Sequence, residues 1–521
     1  MTKKRALLSV SDKTGIIELA KSLVDANYEI ISTGGTAALL TKAGLPVTSI
    51  ESVTNFPECM DGRLKTLHPA IFGGLLAVLD NNEHRHTMQE QNIHPIDIIV
   101  VNLYPFREAS LQNTELAAVI EQIDIGGPSM IRAAAKNHKY VTVVTSPAEY
   151  AELTHRVTES TIDEAYRFRQ AAAAFAYTAA YDAYIAEYLR QIVAPDAFPD
   201  TLTLTFDKHE TPMRYGENPH QQAAYYTWPQ QKCAGIESAK LLHGKPLSYN
   251  NIADAHAALA LAQEFEVPVC VAIKHATPCG VAIGDTIEKA YTAAHDADPQ
   301  SIFGGIICVN GEIDAPTAAK MNDTFLEVII APSFSSDALE ILKTKKNLRL
   351  LQISIGNAGT PCKSDNPVLN NNVLELKSVG GGVLIQQTDT INIETESHIT
   401  VTKKSPEKTD DLLFAMKVVK HVKSNAIVIA KNGVTLGLGG GETSRIWAAE
   451  AAISRAGDLA KGAVLASDAM FPFPDVIELC ATAGITEIIQ PGGSINDKLS
   501  IETADKHNIA MIFTGTRHFK H

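Results

Sequence analysis

The chain has 521 residues, 45% of them hydrophobic and 20% charged, with a formal net charge of −14, so it is too long for one core and predicts roughly two to four domains. The acidic balance argues against a nucleic acid as the main partner, because such proteins carry a basic face, but it leaves room for a small anion in a locally positive pocket. Seven scattered cysteines with no Cys-x-x-Cys pair, a basic start followed only by the short apolar run Ala6–Leu8, and no apolar stretch near ~18 residues predict a cytoplasmic protein without a disulfide framework, a secretory segment or a membrane span.

The first 50 residues alternate between two periods. Arg5–Val10 and Tyr28–Ser32 read as strands, Gly15–Ala26 and Gly34–Ala43 as helices, and Val47–Ile50 as a third strand. This βαβαβ pattern predicts a parallel sheet with right-handed crossovers. Ile98–Leu103 and Tyr140–Thr145 are short and β-branched, as buried strands are. An Ala-rich helix follows over Asp163–Val193. Pro195 and Pro199 in Ala194–Thr203 mark a domain boundary, placed at 198/199. In the second part, Ala426–Ala430 and Val434–Leu438 flank Lys431-Asn432-Gly433, a hairpin signal. The polar stretch Gly356–Asn372 divides this part into two lobes.

Ser11-Asp12-Lys13 and Thr33-Gly34-Gly35-Thr36 each follow a strand. The carboxyl ends of parallel strands bind ligands, and glycine N–H groups at a helix N-terminus favour an anion. The same residues also fit ordinary N-capping and a tight turn. Gly62-Arg63-Leu64-Lys65-Thr66-Leu67-His68-Pro69 concentrates two cations, a hydroxyl and an imidazole; an exposed basic loop is the alternative. Val101-Asn102-Leu103-Tyr104-Pro105 ends a strand on a Tyr able to move a proton, or on a core Tyr. Asp124-Ile125-Gly126-Gly127-Pro128 opens a helix on which Arg132 and Lys136 share a face.

Further on, Arg214 and Tyr215 lie in a polar loop where Arg214 can hold a phosphate bidentately. Lys274-His275 ends a strand and enters an expected loop, Ala276–Gly280; a His beside an ammonium suits a general base, though adjacent Lys and His also occur by coincidence. Asn425, Gly439-Gly440-Gly441, Arg445 and Ser467–Phe473 each follow strand-like runs. The glycines predict close approach to a ligand, and Phe471-Pro472-Phe473 an apolar wall for a flat ring, with core aromatics as the alternative. Zinc nucleobase deaminases need Pro-Cys-x-x-Cys; Pro278-Cys279 is present, but position 282 is Ala, so no metal is expected.

In this order, from Ser11 to Arg517, the motifs resemble one family: the bifunctional purine biosynthesis proteins that join AICAR formyltransferase to IMP cyclohydrolase. The length fits the bacterial type. The resemblance implies an α/β architecture, with a methylglyoxal-synthase-like parallel-sheet domain at residues 1–198. A formyltransferase domain of two cytidine-deaminase-like lobes without zinc would follow at residues 199–521. It implies 10-formyltetrahydrofolate as cosubstrate, no catalytic metal, no nucleic acid or membrane partner, and a homodimer. In the first domain, Ser11, Asp12, Lys13, Thr33, Gly34, Gly35, Thr36, Arg63, Leu64, Thr66, Val101, Asn102 and Ile125 match nucleotide-binding positions. Lys65, Tyr104, Asp124 and Lys136 match the catalytic group, with Lys136, Asp124 and Tyr104 relaying protons. In the second, Lys274 and His275 match the catalytic pair. Arg214, Tyr215, Gly304, Glu327, Asn425, Arg445, Met470 and Arg517 match AICAR-binding positions, and Ile446, Phe473 and Asp475 the folate side. Three departures stand out: Glu327 where some members have Asp, Met470 in place of Phe, and Pro474 in place of Arg.

Overall fold

The computed structural model describes residues 3–60, 62–112, 115–194, 198–228, 235–356, 374–391, 393 and 398–521. The segment expected to divide the two lobes lies outside them beyond Gly356, as do residues 195–197 of the expected domain boundary. The chain divides into two compact units between Thr205 and Phe206.

The first unit is built on five parallel strands: β1 (Lys4–Val10), β2 (Tyr28–Ser32), β3 (Val47–Ser49), β4 (Ile98–Asn102) and β5 (Thr142–Val144), in the order β3-β2-β1-β4-β5. Alternate residues supply two cores. Leu7, Ile31, Ile99 and Val101 face one layer of helices, and Ala6, Leu8, Ile30, Ile98 and Val100 the other. That two-sided burial is why these strands read as unbroken apolar runs. The helix Ile16–Asp25 buries Ile16, Leu19, Ala20 and Leu23, one helical stripe, against the sheet. β5 is shorter than its apolar run because the N–H groups of Tyr140 and Val141 turn back to the Asn137 carbonyl. The order reverses between β1 and β4, and at such a switch point the carboxyl ends of an open sheet part to form a crevice.

The second unit contains one plan twice. Between two short ribbons, β6 (Asp207–Lys208) with β7 (Tyr226–Thr227) and β14 (Leu374–Val379) with β15 (Gly382–Gln387), lies the first lobe. It comprises β8 (Lys240–His243), the hairpin β9 (Val269–Lys274) and β10 (Thr277–Ile283), then β11 (Ile306–Val309), β12 (Val328–Ala331) and β13 (Arg349–Gln352). The second lobe repeats it with β16 (Ile399–Thr400), the hairpin β17 (Ile427–Lys431) and β18 (Val434–Gly439), then β19 (Val464–Ser467), β20 (Glu487–Gln490) and β21 (Ala510–Phe513). All twelve lobe strands form one sheet, ordered β16-β21-β20-β19-β17-β18-β10-β9-β11-β12-β13-β8. The lobes join where β10 and β18 run antiparallel, Ala282 opposite Val434.

Helices Tyr249–Ala262 and Thr409–Val419 cover one face of this sheet over a shared core, with the rings of Phe265 and Phe414 5.6 Å apart. On the other face each lobe has its own core. There, a helix packs directly on each hairpin's second strand. A Cβ at Gly280 would stand 2.2 Å from the Ala294 carbonyl oxygen, and one at Gly437 2.1 Å from that of Ala452. Side-chain-free residues at matching places permit the same close approach in both lobes.

Candidate active sites

In the first unit, the switch-point crevice is a cavity of about 690 Å³. Ser11, Lys13, Thr33, Gly34, Gly35, Thr36, Arg63, Lys65, Thr66, Val101, Asn102, Tyr104, Asp124 and Ile125 line it. Asn102, at the end of β4, accepts the N–H groups of Ser11 (2.6 Å) and Asp12 (2.8 Å) and donates to the Asp12 carbonyl (3.1 Å), so it shapes the loop after β1. Thr36 is buried and exchanges hydrogen bonds with the Val10 main chain. The Lys13 ammonium donates to the Val10 carbonyl at 2.8 Å, and its stem passes within 3.8 Å of where a Gly35 Cβ would stand; the Lys65 ammonium is likewise 3.8 Å from a Cβ at Gly34. Two cations therefore flank the N-terminus of the helix Gly34–Lys42, a combination that attracts an anion. Asp12 instead caps the Thr14 N–H at 2.9 Å, and Leu64 pairs with Cys59 in the turn that presents Arg63 and Lys65; neither lines the cavity.

Asp124 is held at both its carboxylate and its main chain. It accepts the Gly127 N–H at 2.8 Å, and its own N–H is bonded to the buried Tyr181 hydroxyl at 2.9 Å. Burial raises its pKa above the ordinary carboxylate value, against the pull of main-chain donors at Gly127, Tyr104 and Gly126 and of the nearby Lys65 charge. Tyr104 is 43% exposed, which rules out the core-tyrosine alternative. One crevice thus holds a carboxyl that keeps its proton readily, a phenol and a cation able to meet a developing oxyanion.

Lys136 is not part of it. The helix Gly126–Lys136 starts at the cavity and carries Lys136 ten residues along, about 15 Å away at the usual rise. It lines a second cavity of about 670 Å³ with Arg132, His138, Phe168 and Phe175. The relay of Lys136, Asp124 and Tyr104 is therefore not assembled within one chain.

In the second unit, β9 ends on Lys274, but no loop follows. His275 and Ala276 form a two-residue turn with φ of 54° and 55°, and β10 starts at Thr277. Pro278 fits inside a strand because the β9–β10 register slips between Pro278 and Gly280, where a ladder donor is dispensable. Ala282 is buried opposite Cys270, and Cys279 donates to the Ala272 carbonyl at 3.5 Å. The Lys274 ammonium donates to the Phe303 carbonyl at 2.7 Å, beside Gly304. Gly304, with φ of 73°, and Glu327 stand at the starts of β11 and β12 on the same sheet edge; Asn251 donates to Glu327 at 2.9 Å.

Because β18 runs antiparallel to β10, that edge continues into the second lobe at the end of β18, the start of β17 and the end of β19. Asn425 lies there, its amide bonded to the Glu442 carbonyl at 2.8 Å. Met470 and Phe473 stand exposed nearby, whereas Phe471 is fully buried, so the aromatic wall is reduced to Phe473. Ile446 is half-buried in the first turn of the helix Arg445–Ala456, and Asp475 begins the helix Asp475–Ala483. The tail reaches the same edge, its His518 N–H bonded to the Asp468 carbonyl at 2.9 Å, with the Arg517 guanidinium over the Phe519 ring. Arg214 is exposed over the Tyr215 ring; the loop that follows accepts from Asn250 at the Glu217 carbonyl.

Two readings change here. Arg445 is buried and paired with the fully buried Asp468, which also accepts from Ser424 and from the Ala426 N–H. Its charge is thus engaged within the fold. The glycine triplet serves packing: a Cβ on Gly439 would meet the Ala448 carbonyl at 2.0 Å, and one on Gly440 the Val422 side chain at 2.3 Å. Asn251, Asp254 and Glu121, which pairs with Arg63, belong to no motif in the sequence, and Asp468 stands there only within the run Ser467–Phe473. Each works through a partner distant in the chain, and only acidic or amide character at a strand or helix end hinted at them.

Comparison with known proteins comes from three directions. A family model described as AICARFT/IMPCHase bienzyme matches residues 134–455, and one described as MGS-like domain matches residues 15–129. The bifunctional purine biosynthesis protein PurH of Anoxybacillus flavithermus is 53% identical over 523 residues, covering 100% of both chains; its namesake from Bacillus thuringiensis is 52% identical with the same coverage. A solved structure titled "Crystal structure of ForH" is 33% identical, covering 35% of this chain and 95% of its own, with a TM-score of 0.33.

Proposed function

The chain belongs to the AICARFT/IMPCHase bienzyme family, bifunctional purine biosynthesis enzymes that formylate AICAR and close the product to IMP, and from that premise we propose how its residues divide the two reactions. The first unit carries ring closure and the second carries formyl transfer from a folate-type donor, 10-formyltetrahydrofolate. The observation that supports this division most is the Asp124–Tyr104–Lys65 grouping beside a cationic helix N-terminus in one unit, with the Lys274–His275 pair in the other.

In ring closure, Lys13, Arg63 and the Gly34–Gly35 N–H groups take the ribonucleotide phosphate. The bound conformation then brings the carboxamide nitrogen of formyl-AICAR against its own formyl carbon. Lys65 meets the oxyanion that forms, and Asp124 with Tyr104 moves protons until water leaves. In formyl transfer, His275 takes a proton from the 5-amino group as it attacks the formyl carbon, Lys274 stabilises the tetrahedral oxyanion, and the proton passes to N10 as the formyl C–N10 bond breaks and tetrahydrofolate departs. Arg214, Tyr215, Gly304, Glu327, Asn425 and Arg517 position AICAR, while Ile446, Phe473 and Asp475 face the folate. Arg445 contributes by holding Asp468. No step calls for a metal, and the enzyme is cytoplasmic and homodimeric.

If Lys136 takes part in ring closure, the helix length requires that a second copy supply it. Mixing two inactive variants, Lys136→Ala and Lys65→Ala, tests that: mixed dimers regain cyclisation if Lys136 acts across the dimer and stay inactive if it does not. The overall reading is tested by following tetrahydrofolate and IMP together from AICAR and 10-formyltetrahydrofolate. Absence of both products would refute it.

A further inference from the structure

The duplicated hairpins carry the same fastening. In the first lobe, Asp254, on the helix Tyr249–Ala262, accepts the N–H groups of both turn residues, His275 at 3.2 Å and Ala276 at 2.7 Å. In the second lobe, Asp411, on the helix Thr409–Val419, accepts those of Asn432 at 2.9 Å and Gly433 at 2.7 Å. The same interval separates Asp254 from Asp411 and His275 from Asn432. Yet the turns differ in what they ask of the chain. Both need positive φ at two successive residues. Asn-Gly is the pair that adopts this conformation most readily. His-Ala is not, since each Cβ is crowded in the left-handed region. The first hairpin therefore holds an unfavourable backbone at the one turn that presents an imidazole, as strained residues at functional sites do.

We propose that Asp254 is a positioning residue for formyl transfer: its carboxylate clamps the left-handed His275-Ala276 turn and so fixes the imidazole beside Lys274. Asp411 is its structural counterpart at a turn that carries no chemistry. The inference rests on the reading of His275 as the general base. Without the clamp, the turn is free to relax toward negative φ, and His275 swings away from the amine it deprotonates.

The test uses the full-length enzyme and four variants: Asp254→Asn, Asp411→Asn, Asp254→Asn with Ala276→Gly, and His275→Ala. Formyl-transfer kcat and KM for AICAR are measured beside thermal unfolding. Misplacing a catalytic group by ~1 Å lowers rate by about 10²-fold. Asp254→Asn is therefore expected to lower kcat by about that factor with KM little changed. Asp411→Asn lowers the unfolding temperature comparably and leaves kcat alone. Adding Ala276→Gly to Asp254→Asn, which gives the turn a residue at ease with positive φ, recovers part of the loss. Equal kcat in Asp254→Asn and Asp411→Asn, or a loss confined to KM, would overturn the proposal. Should Asp254→Asn not fold, Asp254→Glu carries the same comparison, and wild-type kcat there would also overturn it. Formyl transfer surviving in His275→Ala would instead refute the assignment of the base, whatever Asp254 does.

Discussion

In the first unit, the reactive groups converge on a cavity at the carboxyl ends of parallel strands, whereas in the second they are strung along one edge of a sheet joined from two lobes. The first arrangement follows from a general rule of open α/β sheets. A switch point, a glycine turn and a helix N-terminus coincide, and Lys13 and Lys65 fold over it. The second depends on duplication. The antiparallel β10–β18 junction brings the His275 end of one lobe level with the Asn425 and Met470 end of the other. A parallel sheet thus makes a site from one copy of its plan, while this mixed sheet makes one from two copies facing opposite ways.

Four expected outcomes test that contrast. The largest effect is expected for His275→Ala. Loss of a general base lowers rate by about 10³-fold, so formyl transfer falls by that order while cyclisation of supplied formyl-AICAR is unchanged. A parallel fall in both activities would mean the two sites are not separate. Lys65→Ala does the reverse on a smaller scale: cyclisation falls by about 10²-fold, as expected for one oxyanion donor, and release of tetrahydrofolate continues.

The third prediction concerns the duplicated packing. Gly437→Ala places a Cβ against the Ala452 carbonyl and should destabilise the chain by about 2 kcal/mol. Chemical denaturation reads this directly, and no loss of stability would show that the helix on β18 gives way freely.

The smallest effect is a pH dependence. Because burial raises the Asp124 pKa, the folded chain keeps that proton over a pH range where the unfolded chain releases it. Folding therefore loses stability as pH rises through the carboxylate range. Asp124→Asn removes this cost. Its unfolding midpoint relative to wild type should climb as pH rises through the carboxylate range and then level off. A difference that shrinks as pH rises would contradict the burial argument.

How much of this was legible in the sequence depends on how far each device reaches. β1, β2, β4 and the helices Ile16–Asp25 and Gly34–Lys42 are local patterns of period 2 and 3.6, and their ends fall within a residue or two of the expected positions. The ligand-facing loops follow from where those strands stop. Lys136 is close to Asp124 in sequence, which says nothing of the helix that carries it out of that chain's own crevice. Phe471 and the glycine triplet looked like ligand walls because composition does not say which side faces the core. The second turn, Asn432-Gly433, is announced by its own residues, whereas His275-Ala276 reads as entry into a loop because nothing local favours a turn there. Its geometry is imposed by Asp254 and by pairing with β9, both long-range. The duplication is carried by a few identical residues far apart in the chain, Asp254 with Asp411 and Gly280 with Gly437, and so makes no short-period repeat along it.

The central claim is that the two reactions occupy separate sites in separate units. The decisive measurement uses His275→Ala and Lys65→Ala, each alone and then mixed, given AICAR and 10-formyltetrahydrofolate. His275→Ala alone should yield neither product, Lys65→Ala alone should release tetrahydrofolate and accumulate formyl-AICAR, and the mixture should form IMP. A mixture that forms no more IMP than either variant alone would contradict the division.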